Sequence, residues 1–343
     1  MRLFEVLEAH RYGSVHLCTD ERTGLRAVVA LHNTKLGPAI GGTRALRYRE
    51  EEAAVIDAVR LARGMSYKAA ISGLPHGGGK AVIMLPEGEF DRKALFERFG
   101  EFVDSLGGRY ITCEDSGTST GDMDVIATRT AHVLGTSKGS ADPSPLTALG
   151  VRRAMEATVR HKLGRDSLEG LHVAVQGVGH VGYHLVKEVA RLGARVTVAD
   201  TNQQAVERAR AEFNADVVST DDILFTQCDI LAPCALGAVF NDATIPKLRT
   251  GMVVGASNNV LAESRHGDAL RARGILYAPD YVANAGGLIN VAIEHSPGGY
   301  NREAAIAKVM GIYETVLNVL QRAEREDVST HIVADRIVDE MIF

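Results

Sequence analysis

Long apolar runs are missing from this chain. No stretch approaches the roughly 20 apolar residues needed to cross a bilayer, so a membrane-embedded protein is not expected. Cysteine is scarce too: Cys18, Cys113, Cys228 and Cys234 are the only four in 343 residues, and they show no Cys-x-x-Cys or Cys/His spacing. That argues against a disulfide framework and against a metal site, and it fits a reducing compartment. Blocks of Lys or Arg are likewise absent, and 38 basic against 43 acidic residues leave a formal net charge of −5. Neither nucleic acid nor an anionic membrane is the expected partner. The start, Met1-Arg2-Leu3-Phe4-Glu5, is broken by charge too early for a secretory signal, so the expected location is the cytoplasm.

Glycine, by contrast, is plentiful and clustered, with 35 residues. Clusters of this kind mark backbone brought close to a ligand or forced to positive φ. The length exceeds the comfortable size of one hydrophobic core, which predicts two domains. The first part alternates strand-like and helix-like segments: strands over 26–32, 80–85 and 109–113, helices over 50–63 and from Asp91, a plausible N-cap, to about 106. Residues 136–145 are the most loop-like stretch and predict a domain edge. Beyond it come a helix over 146–163, strands at 171–176, 195–200, 229–231 and 252–255, and helical periodicity from 302 to the end. The alternation predicts an α/β fold.

Val173-Ala174-Val175-Gln176 leads into Gly177-Val178-Gly179-His180-Val181-Gly182. This is Gly-x-Gly-x-x-Gly between an apolar strand and a helix, the context in which the motif binds a dinucleotide. Gly177 permits the tight turn, Gly179 lets a pyrophosphate approach the helix N-terminus, and Gly182 allows close helix–strand packing. Eighteen residues after Gly182, Asp200 ends the next strand. A carboxylate there can accept the adenosine ribose hydroxyls and repels a 2′-phosphate, which favours NAD. The bland alternatives are a ligand-free turn and an Asp200 that serves only as a helix cap.

Three segments of the first half have no packing explanation in the sequence: residues 37–44, residues 65–83 with the run Gly77-Gly78-Gly79-Lys80, and Cys113-Glu114-Asp115-Ser116-Gly117. Lys80 follows three glycines, which would set its ammonium at the base of an open, backbone-lined cleft. An amine that is partly desolvated beside another cation gives up its proton more readily. Lys68, twelve residues upstream, could be that cation. Each of these residues alone reads as an ordinary surface lysine or turn aspartate.

Together with the order of the motifs, they carry a resemblance. The segments are 35–44 (KLGPAIGGTR), 61–68 (LARGMSYK), 77–83 (GGGKAVI) and 109–118 (RYITCEDSGT) in the first half. In the second they are 173–182 (VAVQGVGHVG), 232–238 (APCALGA), 255–261 (GASNNVL) and 277–291 (YAPDYVANAGGLINV). The chain resembles the leucine/valine/phenylalanine dehydrogenase branch of the amino-acid dehydrogenases, closest to leucine dehydrogenase, from Arg26 through Glu324.

The resemblance implies a substrate domain over 1–138, joined by a C-terminal helix of about 326–343. It implies a doubly wound Rossmann NAD-binding domain over 139–325, and an active site in the cleft between the two. Lys80 matches the catalytic lysine and Asp115 the proton-shuttling acid. Lys68 matches the lysine that binds the substrate α-carboxylate, with Gly41 and Gly42 beside it. Asn258 and Asn259 match a pair near substrate and nicotinamide ribose. Thr147 and Asn284 match positions that hold the carboxamide, with Ala235 in the cofactor wall and 283–287 along the nicotinamide face. The implied reaction is oxidative deamination through a 2-imino acid, by a homo-oligomer of two to eight chains.

Ile40, Cys113 and Val291 would line the side-chain pocket. All are apolar, and no cation is visible to meet a side-chain carboxylate, which argues against glutamate. A branched-chain substrate is the first expectation and an aromatic one the alternative; a retired NAD-binding relative is a third reading that the intact Lys68, Lys80 and Asp115 oppose. One departure is the polar stretch from Ile293 to Gly299, either an exposed loop or an altered pocket.

Overall fold

Runs of Val, Ala, Ile and Leu form the strands of both halves, and their alternation sorts side chains to two faces. A computed structural model of the protein describes residues 3–9, 11–140, 142–235 and 237–343. These divide into two units: Met1–Ala141 with Val291–Arg302 and Glu340–Phe343, and Asp142–Asn290 with Glu303–Asp339. The break between 141 and 142 falls inside the loop-like stretch that the sequence marks.

The first unit runs α1 (Leu3–Ala9), β1 (Ser14–Asp20), β2 (Leu25–Asn33), β3 (Ala39–Leu46), α2 (Glu51–Ile71), β4 (Gly77–Met84), α3 (Arg92–Ser105), β5 (Tyr110–Glu114) and α4 (Thr120–Ala127). Its sheet has the order β1-β2-β4-β3-β5. β2 is antiparallel to β1 and β4, whereas β3 is parallel to both β4 and β5. On one face, α2 packs Ala54, Ala58, Val59 and Ala62 against Val28, Ala30 and Val82. On the other, Leu95, Phe96 and Phe99 of α3 meet Ala27, Val29, Ala81 and Ile83. Asp91 caps α3 as expected, its Oδ1 accepting from Ala94 N at 3.0 Å.

The glycine run lies inside the strand, which begins three residues before the expected start at Lys80. Gly77, Gly78 and Gly79 are buried strand residues that begin β4. A Cβ on Gly78 would lie 1.9 Å from the Ser66 amide nitrogen of α2, and one on Gly79 would lie 2.8 Å from the Tyr110 ring. The missing side chains therefore let a helix and a ring press directly on the strand.

The second unit runs α5 (Ser144–Leu163), β6 (His172–Gln176), α6 (His180–Arg191), β7 (Arg195–Ala199), α7 (Gln203–Phe213), β8 (Asp216–Val217), β9 (Cys228–Pro233), β10 (Thr250–Val253), α8 (Arg265–Ala272), β11 (Leu276–Tyr277), α9 (Asp280–Ala283) and α10 (Gly286–Ala292). Then come α11 (Arg302–Met310), α12 (Ile312–Glu326) and α13 (Thr330–Ile342). Its six strands, in the order β11-β10-β9-β6-β7-β8, are all parallel, and Val173, Ala174 and Val175 are fully buried as a strand covered on both faces must be. The order reverses direction at β6, the Rossmann arrangement.

The C-terminal helix departs from the expected division. α13 stays with the second unit through Asp339, and only Glu340–Phe343 join the first. Its anchors explain this: Thr330 donates to the Tyr277 carbonyl at 2.6 Å, and Tyr281 donates to Asp335 at 2.9 Å. The Ile342 carbonyl instead accepts from Asn33 at 3.2 Å. Among the described residues, no helix is long and apolar enough to cross a membrane.

These contacts set a contrast. Gly78→Ala should destabilise the protein by at least about 3 kcal/mol, because its Cβ meets backbone that cannot yield. Gly64→Ala, in the interior of α2 with nothing within 4 Å, should stabilise it by roughly 0.5–1 kcal/mol. Urea unfolding of both variants checks the pair.

Candidate active site

Three adjacent parallel strands place the first group of candidate residues. Gly42 of β3 is registered with Cys113 of β5, and the β3–β4 pairing around it (Ile40 with Gly78, Thr43 with Ala81) brings Lys80 alongside. Alternation sends Ile40, Gly42 and Arg44, Gly78 and Lys80, and Cys113 and Asp115 to the α2 face. Gly42 has a spatial role here, since a Cβ on it would lie 2.7 Å from the Asp115 Cβ. The empty position between strands lets Asp115 reach across, and its Oδ2 lies 2.9 Å from Lys80 Nζ. Gly41 points the other way, its hydrogen against the Gly79 carbonyl.

The same Oδ2 also accepts from Arg44 Nε at 2.9 Å. Arg44 Nη1 continues to Asp57 Oδ2 at 2.8 Å, which accepts from the Tyr48 hydroxyl at 2.7 Å. Burial alone would push the Asp115 carboxyl up, but the Lys80 and Arg44 charges together hold it below its ordinary value. Lys80 is almost fully buried, whereas the Asp115 side chain keeps a quarter of its surface exposed. The turn after β5 is fixed by Thr118, whose Oγ1 accepts from Asp115 N at 2.9 Å and donates to the Thr43 carbonyl at 3.0 Å. Below the site, the buried Tyr110 hydroxyl donates to the Gly41 carbonyl at 2.6 Å.

Lys68 lies on α2 two residues beyond Ser66, on the helix that Gly78 admits against β4. Ile40 is fully buried, Cys113 nearly so and Val291 half-buried. Burial first, and then the nearby carboxylates, push the Cys113 thiol up to about 12 despite Lys80, so it stays a thiol. The stretch after Val291 is not simply an exposed loop. The Glu294 carboxylate accepts from Gly135 N at 3.0 Å and Ser140 N at 2.7 Å, and the His295 Nδ1 lies 3.0 Å from His76 Nε2.

The second group of candidates falls in the second unit. Gly177 has φ +92°, and a Cβ there would press on Ala235 and the Cys234 carbonyl. At Gly182 a Cβ would lie 2.0 Å from the Gly177 carbonyl, which is the close helix–strand packing that the motif predicts. Gly179 differs from both: nothing lies within 4 Å of its would-be Cβ, and it and His180 are exposed at the α6 N-terminus, ahead of Val181. Protein packing does not demand a glycine there, whereas an approaching pyrophosphate does. Asp200 Oδ2 accepts from Val178 N at 2.7 Å and Oδ1 from Asn202 N at 2.8 Å, so the acid also braces the turn. Oδ1 also accepts from the Thr201 hydroxyl at 3.4 Å, whereas Oδ2 keeps a second lone pair for a ribose hydroxyl.

Asn284 is nine-tenths buried. Its Nδ2 donates to the Ala256 carbonyl at 3.0 Å and to Asn258 Oδ1 at 2.9 Å, while its Oδ1 has no partner. A buried, orphaned acceptor fits the N–H of a carboxamide. Thr147 Oγ1, donating to the Pro143 carbonyl, packs where a Cβ on Gly287 would stand. Asn259 adopts φ +52°, and its carbonyl accepts from Ala238 N at 2.7 Å. These residues fit a nicotinamide dinucleotide.

Comparison with known proteins identifies the family. The sequence profile described as Glu/Leu/Phe/Val dehydrogenase, dimerisation domain, matches residues 10–132, and the profile described as Glutamate/Leucine/Phenylalanine/Valine dehydrogenase matches 139–210 and 198–337. The chain belongs to the glutamate/leucine/phenylalanine/valine dehydrogenase family. It is 48% identical to leucine dehydrogenase of Bacillus cereus over its whole length and 94% of that protein. It is 45% identical to valine dehydrogenase of Streptomyces albus over 95% of its length and 91% of that protein. The crystal structure of L-tryptophan dehydrogenase from Nostoc punctiforme superposes with a TM-score of 0.88 at 40% identity, covering 98% of this chain and 97% of that one.

Within this amino-acid dehydrogenase, sequence reasoning missed Arg44, Tyr110 and Thr118 as parts of the site, and missed the contacts that His76 and Glu294 make in the same unit. Arg44 was legible only as the end of a glycine motif; the others carry no local signal, because their partners are distant in sequence. His76 yields a test. Burial, and then His295, lower its pKa from 6.5 to about 4, so it is neutral in the fold and must be charged on unfolding in acid. The stability it contributes is complete above pH 6.5 and is lost as pH falls towards 4, on the order of 2–3 kcal/mol. Denaturation at pH 7.5 and 4.5 should show that loss in the native protein and a clearly smaller one in His76→Asn. An equal loss in both would refute the assignment.

Proposed function

We propose that this enzyme carries out the reversible NAD-dependent oxidative deamination of a branched-chain L-amino acid (leucine, valine or isoleucine) to the 2-oxo acid and ammonia. The observation that carries the reading is the pairing of buried Lys80 with the partly exposed Asp115, at 2.9 Å on a glycine-walled sheet face that also holds Ile40 and Cys113. Leucine dehydrogenases at 48–49% identity over the full chain support the branched-chain substrate. The apolar character of Ile40, Cys113 and Val291 supports it too, since none of the three offers a cation to a side-chain carboxylate. A pocket of this kind discriminates a methylene by only about 1–3 kcal/mol, so the three substrates should overlap.

Bound nicotinamide supplies the hydride acceptor. Lys68 binds the substrate α-carboxylate beside Gly41 and Gly42. Lys80 takes a proton from the water that adds to the imine carbon, and Asp115 exchanges protons with the amine that leaves as ammonia. Asn258 and Asn259 orient the substrate and ribose, while Thr147 and Asn284 hold the carboxamide. Gly177, Gly179, His180, Val181, Gly182 and Ala235 cradle the pyrophosphate and ribose, and Asp200 selects NAD over NADP. The enzyme works as a cytoplasmic homo-oligomer, with unit 1 as substrate domain and unit 2 as cofactor domain.

An aromatic substrate is the second reading. It is favoured by the 42% identity to an L-tryptophan dehydrogenase over the whole chain and by the polar 293–299 stretch.

NADH formation at alkaline pH is measured with leucine, valine, isoleucine, phenylalanine, tryptophan and glutamate. The branched-chain three should lead. Phenylalanine or tryptophan in front would establish the second reading, and NADP outpacing NAD would sink the role of Asp200. Lys80→Ala should lose turnover at least 10³-fold, roughly, while binding NADH as the native enzyme does. Ordinary turnover in that variant would end the assignment of Lys80.

A further inference from the structure

Arg44 closes the segment Gly41-Gly42-Thr43-Arg44, and the proposed reaction leaves it without a task. Its position is nonetheless specific. Lys80 Nζ and Arg44 Nε both contact Oδ2 of Asp115, each at 2.9 Å. Behind Arg44, Asp57 Oδ2 takes Nη1 at 2.8 Å and the Tyr48 hydroxyl at 2.7 Å. Arg44 thus spans two carboxylates from different elements, with its side chain only about one-fifth exposed. Among the described residues nothing bonds Oδ1 of Asp115, and that oxygen is open to solvent. Two cations therefore hold one oxygen and leave the other.

We infer that Arg44 is a positioning residue for Asp115: braced by Asp57 and Tyr48, it anchors Oδ2 so that Oδ1 faces the substrate nitrogen. The inference rests on the proposed amino-acid dehydrogenase reaction and deepens it. Four charged groups are bonded in a row, Lys80 from β4, Asp115 after β5, Arg44 from β3 and Asp57 from α2, two of each sign. Glu114 and Cys113 neighbour them on β5. In the reaction one proton passes between Lys80 and water and another between Asp115 and the amine, while Arg44 keeps its own throughout. When Lys80 hands its proton on, Asp115 still has a cation on Oδ2. It neither swings away nor has to take the Lys80 proton to stay neutral. A lysine alone, with a flexible stem and a point charge, would give no such orientation; a planar guanidinium bridging two carboxylates does.

The test compares native enzyme with Arg44→Met, Arg44→Lys and Asp57→Asn. Arg44→Met should lower kcat roughly 100-fold while KM for the amino acid moves less than about threefold, since Arg44 does not touch substrate. Arg44→Lys should recover about tenfold of that loss, and Asp57→Asn should cost about tenfold by loosening Arg44. A second readout does not depend on turnover. With ¹³C-labelled aspartate, the Asp115 carboxyl should titrate below the ordinary carboxylate range in the native protein and move up in Arg44→Met. If Arg44→Met does not fold, Arg44→Lys and Asp57→Asn carry the same comparison. Native kcat and an unmoved Asp115 titration in a folded Arg44→Met would overturn the inference, as would a loss confined to thermal stability. Should the native protein turn over no amino acid of the panel, the proposed function falls by itself. The Asp115 titration then still decides whether Arg44 holds that carboxylate.

Discussion

One carboxylate oxygen, Oδ2 of Asp115, receives both the ammonium of Lys80 and the guanidinium of Arg44, and the architecture of the first unit serves that contact. Removing either cation would leave an ionised carboxylate in a largely dry place with half its compensation, and removing Asp115 would set two cations against each other. Such groups are tolerated inside a protein only when each is paired and hydrogen-bonded. Asp57 and Tyr48 extend the pairing outward until it meets solvent, which is why the chain of charges does not end on an orphan.

Bringing those charges together needs strands closer than side chains ordinarily permit. Gly42 leaves the gap through which Asp115 reaches Lys80, Gly78 admits α2 with Lys68 aboard, and Gly79 admits the Tyr110 ring that holds the Gly41 carbonyl. None of these glycines adopts positive φ. Their value is volume, not conformational freedom, and the freedom they cost in the unfolded chain is compensated by burial on both faces of the sheet.

The second unit solves a different problem with the same residue type. Gly177 is required by its φ of +92° and Gly182 by the carbonyl 2.0 Å from its missing Cβ, but Gly179 is required by nothing in the protein. The empty space over the exposed helix N-terminus and the unpartnered Oδ1 of Asn284 are places where the fold leaves groups open to another molecule. Asp200 does the reverse, bracing the glycine turn with Oδ2 and its own following turn with Oδ1.

Local pattern determined a good deal. The Gly-x-Gly-x-x-Gly turn with its strand, helix and acid, the α/β class, the loop at the unit boundary and the motifs around Lys68, Lys80 and Asp115 all lie within short windows, where period and turn chemistry act. β3 was not legible, because Gly41 and Gly42 erase the β-branched signature of a strand whose pairing comes from β4 and β5 on either side. The allegiance of α13 was decided by Tyr277 and Tyr281, some fifty residues away in sequence. The same holds at the site: that Arg44 shares an oxygen with Lys80, that Tyr110 carries the Gly41 backbone and that His76 meets His295 are facts of register and packing. Sequence fixes which groups a chain possesses and their local geometry; which of them meet across strands depends on the assembled sheet, because only there do residues distant in sequence compete for one position in space.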